Sequence, residues 1–306
     1  MASETAGDPI TGLKWTHRTT QKIAQELQRL GIRVSRNTVG RLLKKVGYSL
    51  RVNHKKLSRR CRRSERDAQF RKIRRLRRVF LRRGDPVIAI DTKKKELVGR
   101  FKNPGAAWNR EAVLVNDHDF RSMAEGIAVP YGIYDVGANR GFVCVGTSYD
   151  TPEFAADSMA LWWRSEGQHR YRGALRLLVL ADGGGGNGFR CRAWKLGVQE
   201  KLCDRYGLSV LVCHYPPGAS KWNPADHRLF SEISKNWAGR PLDSYETLLK
   251  YIRTTKTRTG LRVRAVLRPK RYRKGIPVPE AKMKCVRLRR HPCMPEWSYT
   301  IRPREM

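Results

Sequence analysis

The chain has 306 residues, enough for one large domain or two modest ones, and 40% of them are apolar, so a sizeable core can form. Lysine and arginine total 64 against 27 acids, a formal net charge of +37, which excludes an anion-avoiding surface and makes a polyanion, nucleic acid first, the expected partner. No apolar stretch approaches the roughly 20 residues of a membrane-spanning helix and Met1–Ile10 lacks a signal-peptide apolar region, so no membrane association is expected and the sequence reads as cytoplasmic.

Residues 11–56 read as a small helical module. Thr19 or Thr20 can cap a helix whose apolar positions Ile23, Ala24, Leu27 and Leu30 recur at helical spacing, and Gly31 ends it. Ser35 can cap a second helix carrying Val39, Leu42, Leu43 and Val46, closed by Gly47. This is helix-turn-helix spacing. The outward positions Arg36, Asn37, Thr38, Arg41, Lys44 and Lys45 are polar or basic, as a helix lying in the DNA major groove requires, and Tyr48–Lys56 adds bases that could follow the phosphates. From Arg59 to Arg83 the chain is dense in arginine, yet Phe70, Ile73, Leu76, Val79 and Phe80 keep a helical period before Gly84-Asp85-Pro86, which predicts a basic linker helix within 57–85.

Beyond Pro86 the pattern changes. Strands are predicted at Val87–Asp91, Ile127–Tyr134 and Phe142–Thr147, then a helix near Pro152–Ser165, a strand at Leu177–Asp182, a helix near Gly188–Tyr206, a strand at Ser209–His214 and a helix near Asn223–Trp237. Gly137-Ala138-Asn139 supplies a turn, so the second and third strands form an antiparallel hairpin with the first beside it, while the strands separated by helices add in parallel. The order βββαβαβα is that of the ribonuclease H-like fold, a mixed sheet flanked by helices, here preceded by the small helix-turn-helix domain. The expected boundaries are 11–56 for that domain, 57–85 for the linker helix, 86–240 for the catalytic domain and 241–306 for a basic C-terminal extension packed on it. Within the extension Ser244–Thr254 reads as a helix and Leu261–Arg290 as irregular backbone along DNA.

Two buried-type apolar runs, Val87–Ile90 and Leu177–Ala181, stop on Asp91 and Asp182, and Asp226 opens the last helix. In this fold the first strand, the fourth strand and the last helix bring acids to one edge, where their oxygens can hold two Mg²⁺ or Mn²⁺ ions roughly 3.5–4 Å apart for in-line phosphoryl displacement. Any one acid alone is a common turn or helix-dipole residue, but three on those elements point together to a metal-dependent nuclease or strand transferase. Glu232 competes with Asp226 but lies six residues on, about 600° around an α-helix. Lys93, Lys94 and Lys95 beside Asp91 are placed to hold phosphates, and Gly183–Gly186 would let backbone approach a phosphate without forming a nucleotide-binding P-loop. Asn116-Asp117-His118-Asp119 reads as a turn, and Trp222 and Trp237 as core. The seven cysteines, odd in number and without a Cys-x-x-Cys pair, read as reduced thiols. A zinc site from Cys203, Cys213, His214 and His227 fits no common finger spacing.

Long strings of this chain resemble the DDE transposases of the Rhodopirellula transposase type, within the wider mariner-like superfamily. They include Val87–Glu96, Ile133-Tyr134-Asp135, Leu180–Gly185, His214–Asn223, His227–Ser231, Ile233–Trp237 and Trp297–Ile301. The resemblance implies an element-encoded enzyme that binds the terminal inverted repeats of its own DNA, cleaves there and joins the freed 3′ ends to target DNA. Asp91, Asp182 and Asp226 would be its catalytic and metal-holding residues, duplex DNA its partner, a homodimer its DNA-bound form and the bacterial nucleoid its place of work. The third acid of the family is usually Glu, in Asn-x-Ile-Glu-His, whereas this chain has Asn223-Pro224-Ala225-Asp226-His227. Relatives also extend further upstream of the helix-turn-helix, which suggests a shortened N-terminal part. Two alternatives stay open: a catalytically defective copy acting only as a DNA-binding protein, and a ribonuclease H-like nuclease on other nucleic-acid substrates.

Overall fold

The computed structural model describes residues 5–7, 14–16, 18–50, 63–219 and 222–305, in two compact units, 1–56 and 57–306. In the first unit a short antiparallel ribbon, β1 (Thr5–Gly7) with β2 (Lys14–Thr16), precedes α1 (Thr20–Arg29) and α2 (Arg36–Lys45). The Thr19 hydroxyl accepts from the Lys22 N–H and the Ser35 hydroxyl from the Thr38 N–H, so each helix starts where its capping residue directs. Gly31 and Gly47 take the left-handed backbone (φ +82° and +86°) that stops them. Ile23, Ala24 and Val39 form the small core, with Leu27, Val34 and Leu43 against it. Leu42 and Val46, expected on the same buried face, are exposed, because the contact with α1 is only wide enough to cover Val39 and part of Leu43. Of the expected phosphate-tracking segment Tyr48–Lys56, residues 51–56 lie outside the described residues, as do residues 59–62 of the arginine-rich stretch.

In the second unit α3 (Arg63–Arg82) turns Ile73 and Phe80, with Phe70 and Leu76, into the core, so the expected linker helix is also a layer of this unit. Its Gln69 is fully buried: Nε2 donates to the His214 carbonyl at 2.8 Å and lies 3.0 Å from Ser298 Oγ, which donates back to Oε1 at 3.1 Å. Gln69→Leu would strand that carbonyl and hydroxyl without partners. It is expected to cost about 2–3 kcal/mol of unfolding free energy, read by urea denaturation; a change within about 0.5 kcal/mol, as at an ordinary surface site, would contradict this role.

The sheet contains β3 (Val87–Thr92), β4 (Glu96–Val98), β5 (Gly126–Asp135), β6 (Arg140–Gly146), β7 (Arg176–Ala181), β8 (Ser209–His214), β9 (Arg262–Arg268), β10 (Leu288–Arg290) and β11 (Ser298–Ile301), in the order β10-β11-β8-β7-β3-β5-β6-β9 with β4 on β5. β3, β5 and β6 are antiparallel neighbours, and β7 and β8 join in parallel, as the connections predict. This is the ribonuclease H-like arrangement. Val87, Ala89, Leu178 and Leu180 face one apolar layer with α3, α7 (Ser231–Asn236) and α8 (Tyr245–Thr254). Ile88, Ile90, Leu177 and Val179 face the other, under α4 (Pro152–Trp162) and α6 (Arg192–Val198). Helices on both faces are why these strands read as continuous apolar runs. The short α5 (Gln168–Arg170) and α9 (Glu280–Lys284) complete the helices.

The expectation of irregular backbone over Leu261–Arg290 is overturned in part. Within it β9 pairs in parallel with β6, and β10 pairs antiparallel with β11, which itself lies antiparallel to β8, so β9 and β10 are strands of the sheet itself. In β9 Val263 and Ala265 are buried while Arg262 and Arg264 are exposed. That period-two alternation was present in the sequence beneath a heavy load of arginine. Wide π-helical turns extend α4 (Trp163–Gly167) and α6 (Gln199–Asp204) and precede α7 (Ala225–Phe230). Among the described residues no helix is long and apolar enough to cross a membrane, and no disulfide links the free thiols, of which Cys144, Cys203 and Cys213 are buried.

Candidate active site

The parallel register aligns Ile90 with Ala181 and Ala181 with His214. Asp91 and Asp182 therefore both lie one residue past an aligned pair and leave neighbouring strands at the same edge of the sheet. Asn223, fully buried, ties them together: its Nδ2 donates to the Ile90 carbonyl at 3.0 Å and to Asp182 Oδ1 at 3.3 Å, while its Oδ1 accepts from the Ala225 N–H at 3.1 Å. One amide thus joins the first strand, the fourth strand's acid and the turn carrying Asp226. His214 secures the other side. Its Nδ1 is 2.8 Å from the Asp182 carbonyl, which can only accept, so Nδ1 carries the proton and Nε2 accepts from the Tyr299 hydroxyl at 3.1 Å. Burial pushes the His214 pKa down to about 4, which keeps the ring neutral. Both ring nitrogens are engaged, and among the described residues no three of the histidine, cysteine and acidic side chains are grouped to hold a metal, so the zinc arrangement with Cys203, Cys213 and His227 does not form.

Asp91 and Asp182 line a cleft of about 930 Å³ together with Asp150, the glycine loop from Gly183 to Gly185, and Asn187. Burial first, then the charge of Asp182, raises the Asp91 pKa to about 7, against the pull of the Thr92 N–H, which donates to Asp91 Oδ1 at 2.8 Å. Asp182 is raised by burial and by Asp226, with the Asn223 hydrogen bond opposing. The half-buried carboxylates of Asp91 and Asp182, which repel one another and form no salt bridge, are a hard-oxygen donor set suited to a divalent cation. Among the described residues no three acidic, histidine or cysteine side chains are grouped so as to hold a metal ion by themselves. A cation here would therefore be held by the Asp91–Asp182 pair and completed by water and phosphate oxygens, the manner in which Mg²⁺ is commonly bound.

Asp226 is exposed and absent from the cleft wall, although near enough for its charge to raise both other acids. It sits in the π-helical turn Ala225–Phe230, so the angular comparison with Glu232, made for an α-helix, does not apply there. Glu232 is engaged elsewhere, 2.6 Å from Lys235 Nζ. Asn116, Asp117, His118 and Asp119 lie in an exposed loop outside the cleft. Trp237 is buried as expected, but Trp222 is 56% exposed, meeting Phe70 edge-on.

Of the residues expected to meet DNA, Arg36, Asn37, Arg41, Lys44 and Lys45 are exposed on α2, while the Thr38 hydroxyl is 3.0 Å from Ser35 Oγ within the helix cap. Lys94 and Lys95 are exposed. Lys93 is not available: its ammonium lies 2.5 Å from Glu96 Oε1 and 4.8 Å from the centre of the Trp237 ring, with 14% of the side chain exposed. The sequence reading missed Asn223, His214, Asn187 and Asp150. Asn223 could have been found as an Asx residue two before Ala225, whereas the other three act through partners distant in the chain.

Among solved structures, the chain is similar to a Mos1 transposase paired-end complex with the left transposon end, at 18% identity and a TM-score of 0.47, over 77% of this chain and 65% of that one. Mos1 paired-end complexes with Mn and with Mg are similar at 16% identity, over the same shares, with TM-scores of 0.46 and 0.44. The chain thus spans 65% of the length of these Mos1 chains. No curated protein sequence matches it. The sequence profile of the Rhodopirellula transposase DDE domain matches residues 1–303, and the chain belongs to that transposase family.

Proposed function

We propose that this protein is a DNA transposase that binds the terminal repeats of its own element and carries out metal-dependent strand cleavage and strand transfer there. The observation that carries the reading is the register-matched pair Asp91 and Asp182, locked by Asn223 and His214 at the edge of a cleft, with neither carboxylate in a salt bridge. Mg²⁺ or Mn²⁺ bound there would activate the attacking oxygen and stabilise the leaving 3′ oxygen. Asn223 keeps the Asp182 carboxylate oriented, neutral His214 holds its backbone, and exposed Lys94 and Lys95 offer charge to the scissile strand's phosphates. The exposed bases of α2 would approach the repeat, and two element ends handled together call for two copies of the chain.

DNA binding should depend steeply on salt. Replacing both Lys44 and Lys45 with alanine is expected to flatten the slope of log affinity against log salt by about 2, measured by fluorescence anisotropy on a duplex bearing the element's flanking repeats. An unchanged slope would remove α2 from the interface. A second reading, DNA binding without cleavage, is favoured by the exposed position of Asp226 outside the cleft wall. Mg²⁺- or Mn²⁺-dependent nicking of end-labelled DNA carrying the flanking repeats decides between them. Cleavage at the repeat boundary supports the transposase, and specific, salt-sensitive binding without cleavage supports the second reading. Preferential cutting of RNA–DNA hybrids of equal length would point instead to a ribonuclease H-like nuclease.

A further inference from the structure

Asp150 lies between β6 and α4, just before Thr151, whose hydroxyl accepts from the Phe154 N–H to cap α4. Its carboxylate shares the cleft with Asp91 and Asp182; its Oδ1 is buried without a close hydrogen-bond partner, and burial raises its pKa against the weaker pull of the Thr92 hydroxyl, Lys95 and the Gly186 N–H. The glycine loop is built around it. A Cβ at Gly186 would stand 2.8 Å from the Thr151 carbonyl and 3.2 Å from Asp150 Oδ1, and one at Gly185 would stand 3.5 Å from Asp150 Oδ2. A side chain at Gly186 would thus collide with backbone, so the glycine allows the loop to close on this carboxylate.

A second, independent feature of the same cleft points to a ligand. Asn187 is 2% exposed, yet its Nδ2 donates to nothing. Buried polar groups are rarely left so unless something completes them. The free groups differ in kind: Asp150 offers an acceptor and negative charge, Asn187 a donor. A cation with its waters satisfies the first, a phosphate oxygen satisfies the second, and a cation-bound phosphodiester satisfies both.

We propose that Asp150 adds its charge to this site as a further carboxylate beside the Asp91–Asp182 pair that would hold the divalent cation, with the Asn187 amide donating to a phosphate oxygen of the bound DNA. The inference rests on the reading of Asp91 and Asp182 as the cation-holding pair. A purely structural role, in which Asp150 accepts from the Gly186 N–H to hold the loop, is separated by Asp150→Asn, because the amide oxygen keeps that acceptor while the charge is lost.

The test is Mn²⁺ binding to the metal-free full-length chain, followed by electron paramagnetic resonance of free Mn²⁺, with Asp182→Asn as reference and thermal melting as the folding control. Asp150→Asn is expected to weaken Mn²⁺ binding at least about 10-fold while melting no lower than the wild type. Asp150→Ser, a second variant against misfolding of the first, is expected to show the same loss. Wild-type Mn²⁺ affinity in the Asp150 variants, with loss in Asp182→Asn, would overturn the inference and leave the site reading intact. A wild-type protein with no Mn²⁺ site that Asp182→Asn removes would overturn both.

Discussion

Asp182→Asn is expected to lower Mg²⁺-dependent nicking at the repeat boundary by at least about 10³-fold, while leaving affinity for the same duplex within about twofold. The substitution keeps the volume of the side chain and leaves an oxygen where Asn223 Nδ2 now donates at 3.3 Å. The strand end should hold, because the His214 contact is to the backbone carbonyl of residue 182. What disappears is the charge. A catalytic cation contributes several kcal/mol to transition-state stabilisation, and every 1.36 kcal/mol is roughly a factor of ten in rate. Binding is expected to survive because the bases assigned to the repeat lie on α2, in the other compact unit. Nicking that persists at a tenth of the wild-type rate or more would show that the chemistry resides elsewhere. Loss of both nicking and binding would mean that residue 182 supports the fold rather than the reaction.

The second large effect is on stability and its dependence on pH. Asp91 titrates near pH 7 in the folded protein, against 3.8 for the free side chain, because burial and the Asp182 charge disfavour its ionised form. Between those values the folded state binds more protons than the unfolded state, so metal-free stability falls as pH rises from about 4 to about 7 and levels off above. The interval corresponds to a cost on the order of 4 kcal/mol at pH 8. Asp91→Asn removes it. In chelator, the variant should match the wild type near pH 4 and exceed it by about 2–4 kcal/mol at pH 8, measured by urea denaturation. Mn²⁺ should then stabilise the wild type, increasingly as pH approaches 7 because binding displaces the Asp91 proton, and leave the variant largely unmoved. Equal stability of the two proteins at pH 8 would contradict the burial and the Asp182 repulsion that disfavour the Asp91 charge.

Asp226 shows how far a local pattern reaches. The Asn223-Pro224 start and the apolar spacing correctly place a helical element after the last parallel strand. They do not reveal that residues 225–230 form a π-helical turn, which decides where the carboxylate stands. Lys93 is a comparable case. Its position in Lys93-Lys94-Lys95 suggests a phosphate contact, but Glu96 three residues on and Trp237, just past the end of α7, claim it instead. A charge run describes an electrostatic tendency, and packing then selects which of its members remain exposed.

By itself the sequence determined the order of the elements, the parallel and antiparallel connections, and Asp91 and Asp182 as neighbours. Each apolar run is buried on both faces, each ends on its acid, and the connection lengths leave little choice of topology. Only the tertiary structure decided that β9 and β11 extend the sheet, that Asn223 and His214 lock Asp182, and that Asp150 and Asn187 enter the same cleft with unused hydrogen-bonding capacity. The physical reason is one of range. Helical and strand periods, caps and turn residues act over a few positions, whereas His214 with Tyr299, or Asp150 with the glycine loop, meet only after strands distant in the chain have taken their register.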